Sequence, residues 1–200
     1  MKEYTVIRCP ETLDWAEIPA ISMDELLLPT NAQVTAQAQV CYDDAYLYIR
    51  LCAKEQDIRA EHKGLLDEVC EDSCLEFFLC PLPDDKRYIN IECNPNGAMY
   101  IGMGTGVHDL IRLVFAEQSP FAPQIQCTDD GWQIIHAIPY TFIHQFFPEF
   151  SPAPGYSIRA NFYKCGDLTP EPHYLMWNPV PQAPCAAFHQ PEHFGILHFA

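Results

Sequence analysis

The stretch YINIECNPNGAMYIGMG, residues 88–104, alternates apolar and polar side chains on both sides of the cluster NPNG at 94–97. A period of two is typical of β-strands, because successive side chains point to opposite faces of a sheet. Asn, Pro and Gly supply the backbone conformations that tight turns need. The stretch therefore predicts a β-hairpin.

The same pattern occurs twice more along the chain. VTAQAQVCYDDAYLYIRLCA at 34–53 turns at 43–44, and QIQCTDDGWQIIHAI at 124–138 turns at 129–131. Further strands are predicted at 75–79, 111–116, 157–164, 174–177 and 194–199, and one short helix near 139–147. About ten short strands joined by proline-rich loops favour an all-β fold, an antiparallel, jelly-roll-like β-sandwich of two sheets.

Length and charge narrow the function classes. The 200 residues fit a single domain, 1–200, and the net charge of −16 disfavours nucleic acid and anionic membranes as partners. The first residues contain no apolar leader segment, and no apolar run reaches membrane-spanning length, so we expect a cytoplasmic protein. The oligomeric state is not indicated.

The cysteines indicate reduced thiols. The 10 cysteines are scattered and form no C-x-x-C pair, and the 8 histidines show no zinc-site spacing with them. A domain of this size folds without covalent staples, and buried thiols behave as small apolar groups. We therefore expect neither a disulfide framework nor a zinc-finger-type site.

Three predicted strands carry polar groups on one face. In CLEFFLC at 74–80 the apolar Leu75, Phe77 and Leu79 share one face, and Glu76 lies on the other. The strands YINIEC and YSIRANFY repeat this division and add four polar side chains to that second face: Asn90, Glu92, Arg159 and Asn161. Such planar donors and acceptors suit the recognition of hydroxyl groups, although a solvated outer face is the alternative. Arg159 is the natural ion-pair partner for Glu76.

Several sequence blocks resemble a known family. EDSCLEFFL (71–79), YINIECNPNG (88–97), NFYKCGD (161–167), HYLMWNP (173–179) and FHQPEHFG (188–195) are together similar to the carbohydrate-binding module family 9-like proteins. The resemblance implies a β-sandwich that binds sugars without catalysis. The founding modules are attached to xylanases and hold the reducing end of a glucan or xylan chain between two tryptophans, and calcium ions support their fold.

The resemblance implies a set of ligand contacts. The strand glutamate and strand asparagine of the family fall on Glu76 and Asn161, whereas Cys70 and Phe188 stand where the family has its two sandwiching tryptophans. With the polar face above, this gives the predicted carbohydrate site: Glu76, Asn90, Glu92, Arg159, Asn161, Trp177, Phe188 and His189. Trp177 is either a stacking platform or a core residue, Phe188 a stacking remnant or a loop anchor, and His189 a hydroxyl contact or a packing residue.

Other functions stay open at this point. Glu76 and Glu92 can lie on neighbouring strands and the same face, the arrangement that a glycoside hydrolase needs. A haem- or metal-binding sandwich that uses His and Met is a second alternative, and a fold kept for protein–protein contact is a third. An oligo- or polysaccharide is the partner we predict, with no cofactor beyond the structural calcium that the resemblance implies.

Overall fold

The computed structural model describes residues 1–115, 120–121, 123–182 and 187–200. These ranges form β-strands joined by loops, with one short α-helix, α1 (Tyr140–Ile143), and three 3₁₀ turns, Trp15–Glu17, Val69–Glu71 and Pro191–His193. The strands are β1 Glu3–Arg8, β2 Ile21–Met23, β3 Glu25–Leu26, β4 Thr35–Tyr42, β5 Tyr46–Lys54, β6 Cys74–Cys80, β7 Tyr88–Cys93, β8 Met99–Gly104, β9 Ile111–Arg112, β10 Gln124–Thr128, β11 Gly131–Pro139, β12 Ser157–Gly166, β13 His173–Met176 and β14 Gly195–Phe199.

The three predicted hairpins are confirmed. They are β4–β5, β7–β8 and β10–β11, and each closes at its predicted turn cluster. In the β7–β8 turn Gly97 adopts φ +81°, a conformation that glycine reaches without steric cost, and its N–H donates to the carbonyl of Asn94. Local alternation and turn chemistry thus suffice to fix these pairs.

The strand pairing differs from the prediction of two sheets with about ten strands. The strands of the described ranges form one 14-stranded sheet. Eleven of them follow the order β10-β11-β5-β4-β1-β14-β12-β6-β7-β8-β9, and the other three branch from it, with β2 beside β4, β13 beside β12 and β3 beside β13. β1 joins the two halves, because Glu3–Val6 pair with β14 and Ile7–Arg8 pair with β4, both in parallel. The all-β class with one short helix is confirmed, whereas two separate sheets are not.

The sheet curls around a single apolar core. Leu47 and Ile49 of one half and Phe77 and Phe162 of the other belong to the same buried cluster. Leu75, Phe77 and Leu79 all lie in this cluster, so the predicted division of faces along β6 is confirmed. Within the described ranges no helix is long and apolar enough to cross a bilayer.

The opposite face of β6, β7 and β12 is also covered. Phe78, Tyr88 and Tyr163 form a second buried cluster with Phe188 and Phe194, which follow β13 in the chain. All seven residues of β6 and all six of β7 are consequently buried. Polar groups on this face are therefore shielded from water rather than solvated.

The described cysteines are free thiols, as expected. Nine are described and none forms a disulfide, and five of them are buried: Cys41, Cys74, Cys80, Cys93 and Cys165. Cys185 lies outside the described residues, as does residue 116 of the predicted strand 111–116. Of that predicted strand, Ile111–Arg112 is observed, as β9.

Candidate functional site

A pocket of about 230 Å³ opens on the covered outer face of the sheet. Its walls include four acidic side chains, Glu68, Glu76, Glu92 and Asp167, and four rings, Tyr100, Tyr174, Phe188 and His189. We call it the carboxyl pocket. β6 and β7 supply the two glutamates at its floor, and the segment after β13 supplies Phe188 and His189.

Glu76 and Glu92 form a buried pair at this floor. They are directly opposite each other in the β6–β7 register, and their exposed fractions are 2% and 7%. Side chains in such positions have Cβ atoms about 5 Å apart. Burial raises the pKa of Glu92 to about 7, and burial together with the charge of Glu92 raises the pKa of Glu76 well above its usual range. The pair therefore carries a proton near neutral pH and can both donate and accept hydrogen bonds.

Each glutamate has a close partner on its own face of the sheet. The Asn90 amide donates to Glu92 Oε1 at 2.7 Å, and the Cys165 thiol donates to Glu76 Oε1 at 2.9 Å. Asn90 is fully buried, so it orients Glu92 from beneath the pocket. These contacts fix the side chains before any ligand arrives.

The expected ion pair between Glu76 and Arg159 is wrong. Arg159 is opposite Cys80 in the β12–β6 register, whereas Glu76 is opposite Tyr163. Four residues along a strand correspond to about 13 Å, which separates the two side chains although they share a face. The Arg159 guanidinium instead donates to the carbonyls of Pro191 at 2.8 Å and Asp85 at 3.0 Å.

Phe188 and His189 form an aromatic wall. The Phe188 ring stacks on Tyr163 with centroids 4.1 Å apart and planes 14° apart, so one of its two faces is already covered. His189 Nδ1 bonds the Tyr88 hydroxyl at 2.7 Å, and burial lowers the pKa of His189 to about 4, which keeps the ring neutral. The wall thus offers the small exposed part of Phe188, which is 7% exposed, and no positive charge.

Comparison with known proteins identifies the family. The model of carbohydrate-binding family 9 matches residues 8–199. The chain belongs to this family. Comparison with curated protein sequences gives no significant match.

Solved structures agree with the family 9 assignment. A protein from Bacteroides uniformis, described as a candidate carbohydrate-binding protein, has a TM-score of 0.82 and 25% identity and covers 100% of this chain and 99% of its own. A family 9 module from Caldicellulosiruptor kristjanssonii in complex with cellotriose has a TM-score of 0.71 and 13% identity, covering 99% and 93%. The glucose complex of a family 9 module from that organism has a TM-score of 0.65 and 14% identity, covering 100% and 96%. The last two show a shared fold.

The structure of this family 9 chain gathers four of the eight predicted site residues around the carboxyl pocket: Glu76, Glu92, Phe188 and His189. Asn90 lies beneath it and Arg159 at a separate hollow beside Asp85. Asn161 is fully buried, where its amide donates to the Asn178 carbonyl at 2.8 Å. Trp177 belongs to the main core. Asn161 and Trp177 therefore hold the β12–β13 region together and do not face the pocket.

Sequence reasoning missed Tyr100 and Asp167 as wall residues. Tyr100 is opposite Glu92 in the β7–β8 register, so the alternation within 88–104 already placed it on the outer face. Asp167 follows the end of β12, where no period assigns a direction. Burial raises the pKa of Asp167, and hydrogen bonds from Tyr174 and the Cys70 thiol lower it by less. Asp167 thus adds a third shielded carboxyl group.

A second hollow, of about 150 Å³, is less suited to sugar binding. Glu55, Thr169 and His173 lie in its wall, but no Phe, Tyr or Trp does. Glu55 is already engaged there, because its Oε2 lies 3.1 Å from Lys164 Nζ and its Oε1 accepts from Trp132 at 2.6 Å. A sugar ring would find no Phe, Tyr or Trp ring to stack on.

The family resemblance also implies calcium, and the side chains at the pocket do not fit it. In the described ranges, one cluster of His, Cys, Asp or Glu side chains is tight enough to hold an ion: Cys74, Glu76 and Cys165, with ligand atoms within 4.8 Å of one another. Calcium takes six to eight oxygen ligands, and two of these three donors are sulfur. The expectation of structural calcium stays untested.

Proposed function

We propose that this protein binds carbohydrate without catalysis, and that the carboxyl pocket holds one sugar unit at the end of a glucan- or xylan-type oligosaccharide. Family 9 membership supports the ligand class. The volume of about 230 Å³ is below the roughly 300–1,000 Å³ of sites for larger ligands, so a single ring suits it better than an extended chain.

The pocket offers the two kinds of contact that a pyranose needs. Phe188, which is 7% exposed, can contact the apolar face of the sugar ring at the pocket wall. Glu76, Glu92 and Asp167 can accept from its hydroxyls, and the protonated member of the glutamate pair can donate. Since Phe188 is only 7% exposed, we expect weak binding of roughly −4 to −8 kcal/mol, that is, millimolar to micromolar affinity.

The observation that carries this proposal is the buried, directly paired Glu76 and Glu92 beside the Phe188 ring. We would measure binding of glucose, cellotriose and xylotriose by isothermal titration calorimetry. Glu76→Leu keeps a side chain of similar size but removes both oxygens, so it should fold and weaken binding about two- to tenfold, since a hydrogen bond between neutral groups contributes about 0.5–1.5 kcal/mol.

Arg159→Ala is the matched control, because Arg159 shares the sheet face but lies at another hollow. It should leave binding unchanged. Wild-type affinity in Glu76→Leu, or lost binding in Arg159→Ala alone, would move the sugar site away from the carboxyl pocket and refute the proposal.

Glycoside hydrolysis is the second candidate, and the same glutamate pair favours it. Retaining glycosidases place two carboxyl groups about 5–5.5 Å apart and raise the pKa of the acid. Glu76 and Glu92 are cross-strand neighbours with raised pKa values. Release of nitrophenol from nitrophenyl β-glucoside and β-xyloside, abolished by Glu76→Gln, would establish this activity in place of simple binding.

The proposal includes three finer expectations. The two halves of the sheet would act as the layers of a jelly-roll-like sandwich around the shared core, which contains side chains of both. The protein would work in the cytoplasm, beside enzymes that degrade polysaccharides. Fractionation of cells and detection with an antibody would test the location.

A further inference from the structure

Two thiols and a carboxyl group meet at the floor of the carboxyl pocket. Cys74 and Glu76 are two residues apart on β6, so their side chains share a face, and Cys165 of β12 is directly opposite Cys74. The Sγ atoms and a carboxylate oxygen of these residues lie within 4.8 Å of one another, and Cys165 Sγ is 2.9 Å from Glu76 Oε1. Strand register alone therefore assembles three metal-ligating groups.

We propose that Cys74, Cys165 and Glu76 bind a thiophilic divalent cation, with Zn²⁺ as the natural candidate, and that a fourth coordination position faces the carboxyl pocket.

Burial shields the three ligands from water. The exposed fractions are 0% for Cys74 and 2% for both Cys165 and Glu76. The two thiols and the carboxyl group must release their protons to bind an ion. A bound divalent ion would displace those protons and supply the charge that stabilises the anionic forms.

The nearest basic side chain does not take this role. Lys164 neighbours Cys165 in the chain, but it points to the other face of β12, where its Nζ lies 3.1 Å from Glu55 Oε2 and 2.7 Å from His173 Nε2. Its ammonium group is thus already paired. A counter-charge for the two thiolates and the carboxylate would therefore come from an external ion.

The donor set selects the class of metal. Thiolates favour Zn²⁺ and its heavier relatives, whereas Mg²⁺ and Ca²⁺ prefer oxygen ligands. Zn²⁺ binds sulfur at about 2.3 Å and carboxylate oxygen at about 2.0–2.2 Å in a tetrahedron, which needs only small side-chain movements from the observed separations. Three protein ligands leave one vertex of that tetrahedron for water or another small ligand.

The pocket provides that vertex and a path for entry. Glu76 and Cys165 line the carboxyl pocket, whereas Cys74 lies behind them. An ion held by all three would therefore sit in the pocket floor. The second carboxylate oxygen of Glu76 would remain for a sugar hydroxyl, so metal binding and sugar binding are compatible but separate events.

Co²⁺ is the probe that reports the ligands directly. The whole protein, reduced and freed of metal, would be titrated with Co²⁺ while absorbance is recorded. We expect thiolate-to-cobalt charge-transfer bands in the near ultraviolet and tetrahedral bands in the visible, saturating at about one equivalent and lost when Zn²⁺ is added. Absence of the charge-transfer bands would overturn the proposal.

Variants identify the ligands without relying on activity. Cys74→Ser and Cys165→Ser should each reduce the charge-transfer intensity about twofold and weaken Co²⁺ binding at least tenfold. Cys80→Ser is the matched control, since Cys80 lies on the same strand and face and is equally buried, but is opposite Arg159. It should titrate like the wild type. Unchanged spectra in Cys74→Ser and Cys165→Ser would overturn the assignment, whatever the sugar titrations give.

Discussion

Replacing Glu92 by glutamine tests the electrostatics of the carboxyl pocket through stability. The folded state holds the pKa of Glu92 at about 7, against an ordinary value of 4.5, chiefly because the side chain is buried. The raised pKa means that folding favours the protonated form. The resulting stabilisation is fully present below about pH 4.5 and is lost as the pH rises through 7.

The magnitude follows from the shift. A difference of about 2.5 pKa units at about 1.36 kcal/mol per unit corresponds to about 3 kcal/mol. The glutamine side chain of Glu92→Gln cannot ionise, and its carbonyl can still accept the hydrogen bond from Asn90 that Glu92 accepts at 2.7 Å. The variant should therefore match the wild type at about pH 4 and exceed its unfolding free energy by up to about 3 kcal/mol at about pH 8.5.

Urea unfolding followed by tryptophan fluorescence at both pH values measures this difference. Glu11→Gln, at an exposed position, is the control and should leave the pH dependence unchanged. A Glu92→Gln protein whose stability relative to the wild type is the same at both pH values would show that Glu92 is not a buried, protonated group. The pocket would then present an ordinary solvated carboxylate.

Two further predictions concern the framework around the pocket. Lys164→Met should lower the unfolding free energy by about 3–5 kcal/mol, because it leaves Glu55 buried without its partner at 3.1 Å. Lys54→Met, at an exposed ion pair, is the control and should lower it by less than about 1 kcal/mol. Equal effects of the two substitutions in chemical denaturation would contradict the buried ion pair. Gly131→Ala should lower the unfolding free energy by more than about 2 kcal/mol, because the added Cβ collides with the Ala53 carbonyl of β5. At Gly106 the added Cβ of Gly106→Ala meets open space, so this variant is the control. Similar melting temperatures for the two variants would refute the close packing at Gly131.

The local parts of the fold follow from the sequence, and the long-range parts do not. The hairpin β7–β8 is specified by alternation and by the turn at 94–97, all within 17 residues. The junction at β1 depends on Glu3 pairing with Ile196, a parallel contact between distant segments for which no local pattern exists. For this reason the separate sheets predicted from the sequence become one continuous path in the structure.

The candidate site shows the same limit. Alternation placed Glu76, Glu92 and Arg159 on one face, and the strand register agrees with that placement. Alternation does not show which residues of two neighbouring strands lie opposite each other. The observed register places Arg159 opposite Cys80, and this separates Arg159 from the two glutamates. Trp177 illustrates a different limit, because an aromatic residue at a strand end is equally consistent with a platform or a core position until its neighbours are known.

The junction at β1 has a consequence for biosynthesis. The ribosome releases β1 well before β14, yet these two strands are neighbours in the finished sheet. Until translation reaches Gly195, β1 has an unpaired edge toward the half that contains the pocket, and such edges invite pairing with other nascent chains. The sheet can thus close at this junction only after β14 has emerged, and a chain interrupted before that point would expose both edges at the junction.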